Sequence, residues 1–387
     1  MKKLQTDSVQ LAVLRCLHFA NYATMALVVS FFPLYFDDIG FSKLQIGAVY
    51  SIGPMLSIFS NLLAGIISDK TKSLKLVLNL IFVGQILALA LLLPQREFAV
   101  VAVFMGLFYF FQTPVNTMMD SLSLLASERM NRSFASIRMF GSLGYAACAV
   151  VFGFILKATG SGLTLWIGLA TVCCSLALAI ALGNFQSSLK KFEFGGLIDI
   201  IQKKETLVFF LLVGLVSVAH RINEGFLAVA MRELGASDSL IGTAWLASAV
   251  SEIPMFFLLA KYGHRFRELP LLAFASVFYM IRMGLLGIIE EPWLFVLVQM
   301  MHSITFGIYY ITALRYLQSI VPDEFRSSGQ ALYAVVWTGL SGLAAGTIGG
   351  WIYDAFGQPA VFRTAALFAL TAAVGFLAVH FMRGRHS

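Results

Sequence analysis

Charge is what this 387-residue chain has least of. Only 12% of its residues are charged, against about a quarter in an ordinary soluble domain, while 59% are hydrophobic and Phe alone occurs 35 times. Long polar stretches are missing as well, the longest weakly apolar run being about Gln186 to Glu205. A soluble fold of this length would need polar connections between its elements, so that class is excluded. Cysteine is scarce: Cys16, Cys148, Cys173 and Cys174 all lie inside apolar segments. Their placement argues against disulfides, a metal centre and thiol catalysis, and reads as four small buried hydrophobes. No Gly-rich loop ending in Gly-Lys-Ser/Thr is present to cradle a nucleotide phosphate. The first apolar stretch continues to Phe36, too long for a cleavable leader, and reads as a true span.

What is present is apolar length. About 20 apolar residues cross a bilayer as a helix. Twelve stretches qualify: 9–36, 43–68, 73–94, 97–127, 133–157, 163–186, 206–232, 238–261, 268–289, 292–318, 326–354 and 359–382. Lys and Arg set the orientation. With both termini cytoplasmic, seventeen of the 27 fall on the cytoplasmic side. The opposite loops hold five (Lys43, Arg96, Lys157, Arg232, Arg363), and five more (Arg15, Arg138, Arg221, Arg282, Arg315) lie within spans. This bias explains the net charge of +7 without a nucleic-acid partner.

The halves repeat. Gly40-Phe-Ser-Lys-Leu-Gln-Ile-Gly47 enters the second span and Gly235-Ala-Ser-Asp-Ser-Leu-Ile-Gly242 the eighth, with Gly, Ser, Ile and Gly at identical spacing. This implies two six-helix bundles, 1–185 and 206–387, joined by a charged cytoplasmic linker at 186–205. Asp120, Arg138, Glu224, Glu252, Arg282 and His302 each sit inside a different span. Each such charge costs roughly 2.5–3.5 kcal/mol even on the lenient insertion scale. They are expected to face one another across a polar path between the bundles.

At the inner end of the second span stands Gly65-Ile-Ile-Ser-Asp69-Lys-Thr-Lys72-Ser-Leu-Lys75. This resembles the signature loop of the major facilitator superfamily. The resemblance implies an all-α integral membrane fold of twelve helices in two six-helix bundles. It also implies a latch in which Asp69 accepts from a neighbouring helix N-terminus and pairs with Arg129 or Arg132. The bland alternative is a solvated turn obeying the positive-inside rule. Lys261-Tyr-Gly-His-Arg265 occupies the equivalent place in the second half without the aspartate.

A narrower likeness lies in Ser136-Ile-Arg138-Met-Phe-Gly141-Ser-Leu-Gly144-Tyr145 and the stretch from Thr113-Pro114 to Asp120. These resemble the branch holding lactose permease, phenylpropionate permeases and nucleoside–proton symporters. By that resemblance Arg138 and Asp120 are first-choice substrate ligands, a structural ion pair being the alternative. Asn21, Tyr22 and Asn116 join them as cavity-lining candidates, and His302 as a substrate or proton group. Glu252 matches a carboxylate that joins substrate and proton in the permease. Arg282 and His302 stand 20 residues apart, as the permease's arginine and histidine do. The permease's proton-carrying glutamate is replaced by Thr305, which cannot titrate. Glu252 is therefore the first proton candidate. Glu224 is second, since it shares a helix face with His220, although the run His220-Arg221-Asn223-Glu224 also reads as an outer polar cluster or gate. Trp245, Trp337, Tyr309 and Tyr310 are expected mostly at lipid or the interface, and Gly339 to Gly350 at close helix contacts.

The expectation is a plasma-membrane secondary carrier of a small organic solute, a sugar, nucleoside or aryl carboxylate, by alternating access with proton symport. Its partners are substrate, proton and lipid; no cofactor or metal is called for, and a monomer is expected. A proton-coupled exporter shares the fold, but Ala146 to Gly153 lacks the Gly-Pro that marks such antiporters. A membrane enzyme would need clustered acid, His or Ser groups in a loop, and these loops are short and basic. A sensor would need an output domain.

Overall fold

In hydrocarbon each backbone N–H and C=O must be satisfied within its own segment, which makes long apolar runs helical. The computed structural model describes residues 2–130, 134–183, 204–321 and 326–383, and nearly all of them are helical. In the first half the helices are α1 (Lys2–Ser30), α2 (Phe32–Asp38), α3 (Lys43–Thr71), α4 (Leu74–Leu92), α5 (Phe98–Met130), α6 (Phe134–Thr159) and α7 (Thr164–Ala181). In the second they are α8 (Lys204–Glu233), α9 (Asp238–Tyr262), α10 (Glu268–Leu286), α11 (Pro292–Gln299), α12 (Ile308–Ile320), α13 (Arg326–Ala334) and α14 (Ser341–Arg383). Among the described residues no strand occurs.

Among the described residues ten helical stretches are long and apolar enough to cross a membrane. The last, Leu332–Arg383, spans 52 residues and is broken at Gly357, where φ is 79° and ψ 177°. That break falls between the two final spans read from the sequence. The 25-residue α9, which carries Glu252, stands outside the ten. The first expected span is two helices, α1 and α2, meeting at Phe31 ahead of Pro33.

The repeat has a physical cause. Gly40 and Gly235 adopt φ +94° and +87°, the left-handed region that ends a helix cheaply only with glycine. Phe41 N–H donates to Phe36 O and Ala236 N–H to Met231 O, at 3.0 and 2.9 Å. The same C-terminal cap thus closes the helix before each copy. Seven residues on, a Cβ at Gly47 would strike the Gly346 carbonyl, and one at Gly242 the Ala149 carbonyl.

Two compact units form. One comprises Met1–Phe41, Ile52–Lys190 and Ser237–Gly242; the other Ser42–Ser51, Lys191–Ala236 and Thr243–Ser387. Each therefore takes a short piece from the opposite half of the sequence, and that piece is the start of the repeat-bearing helix. Gly47 and Gly242 admit backbone contact at the start of these helices where a side chain would prevent it. Within the second unit Asp354 accepts from the amides of Lys43 and Leu44 at 2.7 and 2.8 Å. Lys43 Nζ lies 3.1 Å from Glu233 Oε1, and the Tyr353 hydroxyl donates to the same carboxylate at 2.7 Å. An anion at a helix N-terminus meets both unpaired amides and the dipole.

Two expectations need correction. Cys16, Cys173 and Cys174 are exposed and Cys148 half-buried, because a span that is apolar all round carries apolar residues on its outward face too. Trp245, Trp337 and Tyr309 are buried instead of facing lipid. Arg15 lays its guanidinium over Phe140 at 5.1 Å. The linker over 186–203, Arg132 and the side chain of Asp69 lie outside the described residues. Arg129 is 3.7 Å from Asp7.

Candidate functional site

Each unit gathers polar side chains inside its apolar helices. In the first, α1, α5 and α6 supply them. Asn116, Asp120 and Ser123 recur at helical spacing on α5 and so share a face. Arg138 of α6 donates to Asp120 Oδ1 at 3.0 Å, with the side chains 38% and 35% exposed. Its guanidinium sits over the Tyr22 ring at 5.6 Å, a cation–π geometry. Gly141 makes room for that ring, since a Cβ there would come within 2.7 Å of Tyr22. Asn21 donates to Asn116 Oδ1 at 3.0 Å, and the buried His18 bonds Ser123 Oγ at 2.7 Å. The five substrate-ligand candidates of the first half thus fall in one neighbourhood. His18–Ser123 adds a contact in the same neighbourhood.

The second unit is denser. His302 Nε2 lies 2.7 Å from Glu252 Oε1. Its Nδ1 lies 2.8 Å from Arg282 Nη1. Arginine has no acceptor, so Nδ1 must be the bare nitrogen and the ring proton must sit on Nε2, aimed at the carboxylate. The neutral imidazole therefore bridges a fully buried arginine to a half-buried glutamate. Arg282 also donates to Thr305 Oγ1 at 3.0 Å and closely to Gln299 Oε1. Gln299 in turn donates to Asn223 at 3.5 Å. A buried guanidinium is tolerable when its protons are met in this way.

Glu224 differs from Glu252 in its neighbours. Arg221 Nη1 donates to its Oε2 at 2.6 Å, and His220 Nε2 stands 3.5 Å from Oε1. Tyr279 OH lies 3.2 Å from His220 Nδ1. Arg221 further reaches Thr338 at 3.2 Å. His220 also joins this cluster to the Glu252–His302 pair: the His220 and His302 rings stack with centroids 5.6 Å apart, and Phe306 stacks on both, at 5.0 and 5.1 Å. Tyr310 continues the stack from Phe306 at 5.3 Å. Trp337 borders it, 5.3 Å from His220 and 5.8 Å from Tyr333.

Two π-helical turns hold this arrangement, Ser303–Gly307 just after His302 and Val335–Leu340 around Trp337. Such turns are rare and occur often at functional sites. Gln299, Tyr279 and Phe306 were missed from sequence. Gln299 and Tyr279 each stand three residues before a recognised member, His302 and Arg282, and that spacing was the available signal. Among the described residues no group of three or more His, Cys, Asp or Glu side chains is placed to hold a metal.

The chain as a whole is similar to known transporters. YwbF of Bacillus subtilis, described as an uncharacterized transporter, is 24% identical over 334 residues, covering 86% of this chain and 83% of its own. The probable 3-phenylpropionic acid transporter of Escherichia coli is 24% identical over 362 residues, 92% of this chain and 94% of its own. The solved nucleoside transporter NupG shares the fold, with a TM-score of 0.86 at 17% identity over 95% of this chain and 98% of that one. The MFS_1 like family profile matches residues 11–364, so this multi-pass membrane chain belongs to the MFS_1 like family and is a membrane transporter, not an enzyme.

Proposed function

We propose that the chain is a proton symporter for a small ring-bearing organic solute, working by alternating access in the plasma membrane with both termini cytoplasmic. The observation that supports it most is the contrast between the two membrane glutamates. Glu224 is clamped by Arg221 and His220, so its charge is balanced where it stands. Among the described residues Glu252 is met only by the neutral His302, whose tautomer Arg282 dictates. A proton arriving at Glu252 cancels a charge that no cation touches directly; its loss on the other side restores it. That is the behaviour a coupling carboxylate needs, because a charge in hydrocarbon opposes reorientation.

Asp120, Arg138, Asn21, Tyr22 and Asn116 act as the substrate ligands in this reading. The half-exposed Arg138 presents a forked donor for a hydroxyl or carboxylate. Half-buried Phe306 and Tyr310, stacked on one another, offer a face for a sugar or aryl ring. Relatives described as transporters of phenylpropionic acid, maltose and nucleosides bracket that range. Asp69 with Arg129 or Arg132 would latch the cytoplasmic end, and the working unit is a monomer. The test is uptake of labelled sugars, nucleosides and aryl carboxylates by energised cells, with and without uncoupler. Accumulation that collapses with uncoupler supports the reading. Accumulation that ignores the pH gradient refutes proton coupling, and outward flux driven by an imposed gradient assigns an exporter.

A further inference from the structure

Away from the polar cluster, the second unit holds a groove of about 730 Å³ between the end of α9, the start of α10 and α12. Its walls are apolar: Met255, Leu258, Leu271, Phe274 and Ile308 are among them. Leu258, Phe266 and Phe274 are left 51%, 56% and 46% exposed. From Met255 to Tyr262 the wall runs about 10 Å along the helix axis. One end is cationic. Arg265 and Arg267 line the groove there, with Lys261 alongside, and all three are exposed. Lys261 and Arg265 flank the Tyr262 ring, each 5.2 Å from its centroid. The nearby carboxylate is already spent: Glu268 accepts from Arg315 at 2.8 Å, and Arg315 also donates to Gly263 O at 2.6 Å. Three positive charges therefore stand without a local counter-ion among the described residues.

We infer that this groove binds an anionic phospholipid of the cytoplasmic leaflet, its phosphate at Arg265 and Arg267 and an acyl chain along Leu258, Leu271 and Phe274. The distribution of Lys and Arg puts this end at the cytoplasmic surface. There the leaflet is negatively charged, and basic pockets between helices take such headgroups. Guanidinium forks match phosphate oxygens, and the chain covers apolar surface that helix packing leaves open. The inference needs no coupling residue, so it stands or falls separately from proton symport.

The test is native mass spectrometry of the full-length protein released from vesicles of mixed phosphatidylglycerol and phosphatidylcholine. The wild type should retain phosphatidylglycerol preferentially. R265Q/R267Q should lower that preference about tenfold or more. Leu271→Trp, which fills the groove and keeps every charge, should lower retention as well. Inorganic phosphate should not compete, because it has no chain to bury. Equal retention of both lipids by the wild type overturns the inference. So does a loss confined to the arginine variant, which would mean surface attraction without a groove. Thermal melting of each variant in detergent confirms that it is folded.

Discussion

The two units hold their intramembrane charges in different ways. In the first, one arginine and one carboxylate meet half-exposed, with the Tyr22 ring against the guanidinium. In the second, Arg282 is sealed and its two terminal nitrogens donate to His302, Thr305 and Gln299. A half-exposed pair suits a ligand that comes and goes. A buried, denser network suits a group that must be held in one tautomer. In the proposed reading that contrast gives recognition to one unit and coupling to the other, and it can be broken in graded steps.

The largest effect is expected from Glu252→Gln. It should abolish proton-driven accumulation in vesicles while downhill exchange of substrate continues. Persistent pH-linked accumulation would move the proton elsewhere. Arg138→Lys should come next: uptake falls roughly ten- to a hundredfold, the worth of one charge-assisted hydrogen bond, with normal amounts of protein in the membrane. Normal uptake would remove Arg138 from the site. Thr305→Val strips one acceptor from a buried arginine and should destabilise the protein by about 1–3 kcal/mol, read as a lowered melting temperature. An equivalent change in the first unit, Ser123→Ala, should cost less because it removes a partner from an imidazole and not from a guanidinium. Smallest is Asp354→Ala, which removes the cap from α3 and should cost about 0.5–2 kcal/mol. The matching test is faster labelling of a cysteine placed at Lys43.

Much of this was legible in the sequence, for identifiable reasons. The spans follow from apolar length, and the pairing of Asp120 with Arg138 from their similar depth in consecutive helices. The meeting of Arg282 with His302 came from resemblance. The repeat was visible as four matched residues, and its purpose lies in geometry: a left-handed cap, then a helix-to-helix backbone contact. What sequence could not supply was the set of partners drawn from distant segments. Asp354 capping α3 joins positions more than 300 residues apart. The sequence placed an aspartate–helix latch at Asp69; Asp354 shows that device at a residue with no motif around it. Aromatic burial was misjudged because Trp and Tyr favour both interfaces and cores, and composition does not separate the two.

The π turn at Ser303–Gly307 has a consequence for anyone drawing a helical wheel through 292–318. Each extra residue in a turn shifts the phase of all downstream side chains by about 100°. The stripe His302, Thr305, Tyr309 drawn on an unbroken helix is therefore out of phase past the bulge, and the rings that stack on the histidine are Phe306 and then Tyr310. Deleting a single residue there, such as Ile304, would restore ordinary winding and turn Phe306 and Tyr310 off the imidazole while leaving every named side chain in the chain. The protein's chemistry is thus written partly in a counting error that the helix is made to keep.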